Sequence, residues 1–306
     1  MALGTNGYTR ADLVSIPEIW GQRINDYFFR NLKLAKFFVD RSDELMDGGD
    51  ILHTINGSSY SASTKTNNAE VTLTSPQETK QDLTVSTWKE TSLLFEDREW
   101  AQMMKSSALQ SSYFEGAAHS TAKALDDAIA ALFSGFSNVV GNSTSNVSLS
   151  TLMEAIAVAT SNDVPGFDVG SADTAFILHP YTAYRQVGIL DNFVRYDATG
   201  TNGTVAQTLF PSVLGIQVIV TSAVPNVSGT SGRYNLLAHK DAIHWARLNF
   251  PVKSDRGYVG TQGVRVQEQY IQNYLGTLIT ADLCYGVVEN RDNAGVAILS
   301  HATYAV

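Results

Sequence analysis

The sequence predicts an α+β fold with a body of helices and sheets and a long extended arm, all in one chain of 306 residues. Three observations carry that reading. A helical stripe of about 35 residues covers 97–133, against a mean helix of about 11–12. A Ser/Thr-rich stretch, 56–79, separates two strand patterns. The closing part, from about 241, is a succession of alternating or continuous apolar runs.

Composition narrows the class. Hydrophobic residues are 44% and charged residues only 17%, below the roughly 25% usual for soluble domains. A core is therefore available, and bulk disorder is disfavoured. Ser, Thr, Asn, Gln and Gly must supply much of the surface. Copies of such a surface repel one another weakly. The net charge of -9 argues against a nucleic-acid reader, which normally carries a basic domain. No apolar run reaches the length of a membrane span. Arg10, Asp12 and Glu18 break up the first twenty residues, so these are not a secretory signal. The single cysteine, Cys284, excludes an intrachain disulfide and a thiolate metal cluster.

At the N-terminus, Ser15 and Pro17 suit a helix start, and Ile19, Ile24, Tyr27 and Phe28 follow at irregular helical spacing. The apolar run 34–39 ends at Asp40-Arg41-Ser42, and Gly48-Gly49 precedes a short strand over 50–55. In 56–79, ten of 24 residues are Ser or Thr and large apolar side chains nearly vanish. Leu83 to Trp88 then alternates as a strand. Strand, polar stretch and strand predict a two-stranded arm that is too poor in apolar residues to bury itself. A neighbouring copy is the economical support.

The long helix carries Trp100, Met104, Ala108, Ala118, Ala122, Leu125, Ile129 and Leu132 along one stripe, with Gly116 as a bend and Gly135 as the stop. A loop at 138–150 marks a boundary. Thr151 and Glu154 fit a capping box for a helix running to Ser161. Strands follow at 175–178 and 217–220, with a short helix opened by Pro180 that contains Tyr181, Tyr184 and Val187. Two more strands, 234–238 and 242–246, are joined by His239-Lys240-Asp241. The last strands are expected at 264–270, 278–288 and 295–299.

Catalytic signatures are absent from the sequence: no nucleophile elbow, P-loop, HExxH or EF-hand loop. The glycines of 257–263 have the wrong spacing for a dinucleotide loop and read as a β connection. His239 and His244 lack a third ligand, so strand and turn histidines are the better reading. Cys284 reads as a packed thiol. Asp126 and Asp127, adjacent on a helix, diverge by about 100° and read as a solvated face. The expectation is a non-enzymatic chain with no cofactor, metal or catalytic residue. Tryptophans favour interfaces, and Trp88, beside the polar arm, is the one placed there.

The order of parts resembles the major capsid proteins of tailed bacteriophages, with their HK97-like fold. Ile16-Pro17-Glu18-Ile19-Trp20, then Phe37-Phe38-Val39-Asp40-Arg41 and Gly48-Gly49-Asp50-Ile51, resembles an N-terminal arm leading into an extended loop. Asp282-Leu283-Cys284-Tyr285-Gly286-Val287-Val288 resembles the family's return strand. The resemblance implies an N-terminal arm at 1–47, an extended loop at 48–92, a peripheral domain with the spine helix at 93–147, an axial domain at 148–240 and a β-rich return at 241–306. It implies hexamers and pentamers closing an icosahedral shell around phage double-stranded DNA, held without sequence-specific binding. Inter-subunit contacts are then expected at Trp20, Tyr60, Lys65 and Trp88. Some members seal the shell with a Lys–Asn isopeptide bond; Lys65 with Asn290 or Asn293 has the residue types, which are common in any chain. The arm-like segment begins within about ten residues of Met1, which implies a separate scaffolding protein or a trimmed chain. A portal, and in some members a decoration protein, are the other implied partners, with assembly in the host bacterial cytoplasm and no membrane. The rivals are an encapsulin, a shell of the same fold around an enzyme cargo, and an all-β tail or decoration protein, against which the long helix argues.

Overall fold

Fourteen consecutive residues, Gly276–Glu289 (β13), form the strand around which the first sheet is assembled. The computed structural model describes residues 32–45, 49–57, 60–76, 78–98, 107–162, 172–186, 212–229, 231–253, 257–259 and 263–301. Along one edge β13 pairs antiparallel with β12 (Arg265–Ile271) and then with β10 (Ile243–Leu248). Along its other edge it pairs with β4 (Thr87–Glu96), from Gly276 opposite Glu96 to Tyr285 opposite Thr87. The short β1 (Val39–Asp40) and β11 (Tyr258–Val259) complete the sheet. Ile279, Ala281 and Leu283 are buried beneath the long helix α2 (Ser107–Ala131).

On α2, Ala117, Thr121, Ala122, Leu125, Ile129 and Ala130 are buried, a stripe at three- and four-residue spacing. Helical backbone is also present at 97–98; the predicted helix over 99–106, with Trp100 and Met104, lies outside the described residues. The helix runs through Gly116 unbroken. It tightens to a 3-10 turn, Leu132–Ser134, and Gly135 ends it in right-handed rather than left-handed conformation. Gly135 is needed there for space: a Cβ would stand 2.8 Å from a Glu289 carboxyl oxygen. Asp126 corrects the solvated-face reading. It is fully buried, and its Oδ1 accepts the amides of Leu34 (3.2 Å) and Ala35 (3.1 Å) at the start of α1 (Leu34–Phe37). Those amides have no intrahelical partner, and a carboxylate at a helix start satisfies both. Asp127 is exposed as expected.

The second sheet runs in the order β5 (Val139–Gly141), β14 (Gly295–His301), β9 (Gly232–His239), β6 (Thr174–Leu178), β8 (Ile216–Val220), β7 (Ser212–Val213). Phe176, Leu178, Leu237, Val296 and Ile298 face helix α3 (Leu149–Ser161), while Ile177, Leu236, Ala238 and Ala297 join the core under α2. Strands buried on both faces read as continuous apolar runs, which is why these were legible. The two strands at 232–248 belong to different sheets, joined by the turn Lys240–Ala242. The closing strand β14 lies in the second sheet, not beside β13. The capping-box expectation is also corrected. Helix α3 starts three residues early, and extended Ser148, not Thr151, is the cap, accepting the Thr151 amide. After Pro180 the chain forms a π-turn, Thr182–Gln186; Val187 lies outside the described residues.

The arm is a separate two-stranded sheet, β2 (Ile51–Asn56) with β3 (Thr79–Thr84), paired antiparallel. The strand expected over 83–88 is divided. Leu83 belongs to the arm and Trp88 to the first sheet, because the backbone steps at 85–86 across Gly286. A Cβ on Gly286 would meet the Thr84 carbonyl oxygen at 2.2 Å and the Val85 Cα at 3.0 Å. Only glycine lets the arm's root lie against β13. Gly286→Ala should therefore cost about 1–3 kcal/mol in a denaturant titration, as overpacking does. Gly57→Ala, with open space around its Cβ, should change stability far less.

Candidate inter-subunit surface

Among the described residues the arm's root is anchored and its tip is not. Leu83 and Val85 pack with Leu45, Ala246 and Cys284 in a small core. The Val85 amide donates to the Asp50 carbonyl at 2.8 Å, and Arg41 Nη1 donates to Thr54 Oγ1 at 2.6 Å. Beyond Asn56 the described tip, 60–76, has no strand partner and is exposed throughout. One turn shapes it: Asn68 is left-handed, a conformation Asn tolerates, and the Ala69 amide reaches the Thr66 carbonyl. The tip nevertheless carries Tyr60, Val71 and Leu73, the last 89% exposed. Apolar side chains in that state lose roughly 1.5–3 kcal/mol each relative to full burial.

The second open surface is the face of the first sheet turned away from α2. Register places Glu90 (β4), Asp282 (β13) and Arg265 (β12) in one row across three strands. Arg265 grips Asp282 with two bonds, Nε to Oδ1 at 2.8 Å and Nη2 to Oδ2 at 2.7 Å. Trp88 Nε1 donates to the same carboxylate at 3.1 Å. The guanidinium lies 4.9 Å from the Phe250 ring centre, Trp88 lies 5.4 Å from it, and Arg265 Nη1 holds the Pro251 carbonyl. This knot pins the loop after β10 onto the sheet. It borders a groove lined by Trp88, Glu90, Gln267, Gln269, Leu278 and Thr280. Gln267 Nε2 is buried there with no acceptor. Beside the groove the outer edge of β4, ten residues long, pairs with no strand among the described residues. A free edge is a template for strand addition.

Of the residues singled out in the sequence, Tyr60 and Lys65 sit on the arm tip and Trp88 on the sheet face, while Trp20 lies outside the described residues. The structure does not bring the first two to Trp88 within one chain. Lys65 Nζ donates to the carbonyls of Thr66 and Ala69, inside its own turn. The Asn290 amide is engaged by the Asp241 carbonyl and His244. Sequence reasoning missed Arg265 and Asp282; the lone charge inside the apolar run 278–288 was the available signal.

The remaining candidates have structural duties. His239 Nδ1 accepts the Asp241 amide, and His244 Nε2 lies 3.3 Å from the Asn290 amide. Burial pushes both histidines below their usual range. Among the described residues no three His, Cys, Asp or Glu converge as metal ligands, and no helix is long and apolar enough to cross a membrane. The Cys284 thiol is buried and pushed up by burial and by the Asp282 charge.

The architecture has close counterparts among solved structures. A chain from Mycobacterium phage Che8 matches with a TM-score of 0.72 at 16% identity, covering 93% of this chain and 97% of that one. The capsid of cyanophage P-SCSP1u matches at 0.70 and 12%, over 99% and 97% of the two chains. The head of Helicobacter pylori bacteriophage KHP40 matches at 0.70 and 12%, over 97% and 99%. The chain has a bacteriophage capsid fold. No protein-family model and no curated protein sequence matches it, so the shared property is the fold. Within that fold, Asp282 and Trp88 differ in how much of the knot depends on them. Asp282→Ala removes both bonds from the half-buried Arg265 guanidinium and should cost about 3 kcal/mol, the low end for a buried pair. Trp88→Ala removes a ring that is 64% exposed and should cost only about 1–2 kcal/mol, from one hydrogen bond and one ring contact. Denaturant titrations of the two variants check this order.

Proposed function

We propose that the chain is a major capsid protein, a structural subunit whose copies assemble as hexamers and pentamers into an icosahedral shell around phage double-stranded DNA. The observation that carries the reading is the near-complete, two-way match to phage capsid and head chains. The arm supports it independently. Its tip exposes Tyr60, Val71 and Leu73 with nothing among the described residues to cover them, while among the same residues the sheet face and the β4 edge stand open. Two incomplete surfaces on one chain are completed by a second copy, and a ring or shell satisfies every copy at once. Obligate interfaces of this kind bury thousands of Å².

In this reading 1–47 is the N-terminal arm, 48–92 the extended loop, 93–147 the peripheral domain with its spine helix, and 148–240 the axial domain. The return, 241–306, ends by lending β14 to the axial sheet. Tyr60, Lys65, Trp88 and Trp20 are inter-subunit contacts. A scaffolding protein and a portal are the further partners, with a decoration protein on the outside only if the shell is of the kind that carries one. The product is a virion shell assembled in the bacterial cytoplasm. The role is mechanical, and no residue is assigned to catalysis.

Replacing 60–76 by a short Gly-Ser linker, which keeps β2 and β3, tests the reading. Subunits should stay soluble with an unchanged unfolding midpoint, and negative-stain microscopy should show no closed shells. Uniform shells from that variant would refute the arm's role; a wild-type protein that never assembles under any condition would refute the function.

A further inference from the structure

The arm's two faces differ in kind. Leu52, Thr54, Gln81 and Leu83 are buried or half-buried, while Ile51, His53, Ile55, Lys80 and Asp82 are exposed. Along the inner face the chemistry changes within two residues. At the root Leu52 and Leu83, opposite one another, pack into the small core with Val85 and Cys284. Two residues further out, roughly 7 Å at about 3.3 Å per residue, the opposite pair is Thr54 and Gln81. Each of these reaches the first sheet through one hydrogen bond. Arg41 Nη1 donates to Thr54 Oγ1 at 2.6 Å, and Gln81 Nε2 donates to the Glu289 carbonyl at 3.1 Å. The bonds made further out, by Lys65 and Lys80, stay within the arm.

We propose that Thr54 and Gln81 are positioning residues, a two-point stay that holds the arm at one angle to the first sheet. The apolar root cannot set that angle alone. Apolar burial is non-directional, and the core there is small, so the root works as a pivot. Hydrogen bonds are directional. Two of them, one on each strand of the ribbon, resist both rocking and twisting. Both anchors are themselves fixed. The Arg41 amide donates to the Trp245 carbonyl at 2.9 Å. Its guanidinium is held by Glu44, Nε to Oε1 at 2.7 Å and Nη2 to Oε2 at 2.5 Å, which leaves Nη1 for Thr54. The charge on Arg41 strengthens that bond. Glu289 is the last residue of β13 and is paired with Ile243 of β10.

The two anchors belong to one sheet. Asp40, beside Arg41, pairs with Trp245 of β10, and β10 pairs with β13. The arm's angle is therefore tied to the first sheet and not to the second. Neither bond takes part in the pairing of β2 with β3, which runs from Ile51 opposite Thr84 to Asn56 opposite Thr79. Ribbon and stay can thus be separated by mutation. In the capsid reading the stay fixes where the tip meets its neighbour, but the stay itself is a property of the single chain.

Residual dipolar couplings of the full chain, kept as dissociated subunits, test the stay. In the wild type the amides of β2 and β3 should fit the alignment of the first sheet. Thr54→Val together with Gln81→Met removes the acceptor and the donor with little change of shape. In that double variant the arm's couplings should fall to about five-sixths of their wild-type size or less, the scaling when S² drops from about 0.85 to below about 0.6. Couplings of β10 and β13 should not change, and the paired amides of β2 and β3 should stay protected from hydrogen exchange. Thr54→Ser, which keeps the hydroxyl, should behave as the wild type. Wild-type arm couplings that do not fit the first sheet would overturn the stay, and so would unchanged couplings in the double variant. Lost protection in β2 and β3 of the double variant would overturn it too, because the bonds would then hold the ribbon together rather than aim it. None of these outcomes depends on shell formation, so the stay and the capsid reading fail separately.

Discussion

The constraint from which the rest follows is the position of β13. It is paired along both edges, with β4 on one side and β12 and β10 on the other, and one face is sealed by the long helix. A strand held on three sides fixes its neighbours' register, because a slip of one residue would turn Asp282 and Thr280 into the core and Ala281 and Ile279 out of it. Two features are attached to this strand at different heights. The Arg265–Asp282–Trp88 knot lies along its open face. The arm's root crosses it at Gly286.

The division between rigid and unfinished parts follows from where apolar area is available. A continuous core runs from α1 and α2 through both sheets, from Leu34 and Phe133 to Leu236 and Ala297. The arm contributes only its root to any core. Its strands pair with each other, yet a two-stranded ribbon with exposed Ile51 and Ile55 gains little by itself. The arm's shape is thus set within the chain, and in the proposed shell its further burial comes from a neighbouring copy.

Much of this was legible in the sequence, and the misses share a cause. The described part of the stripe predicted over 97–133, the buried runs expected at 175–178 and 217–220, and the polar arm were readable because each is a local pattern. The misread positions depend on partners distant in sequence. Asp126 looks like half of a solvated pair until α1, 91 residues away, brings its bare amides to it. Gly135 looks like an ordinary stop until Glu289 occupies its Cβ space. The strand expected over 83–88 is broken by contact with Gly286, which no alternation within 83–88 can reveal. In the candidate surface, Trp88 and the arm were visible from composition. Arg265 and Asp282 were not, because a cross-strand ion pair is defined by register between two strands.

The central claim is that the arm tip is finished by another copy. Hydrogen exchange at 60–76, compared between dissociated subunits and purified assembled particles, measures this most directly. The tip's amides should exchange at unprotected rates in the free subunit and become strongly protected in the particle, with β2 and β3 protected in both. Equal exchange of the tip in the two states would contradict the account.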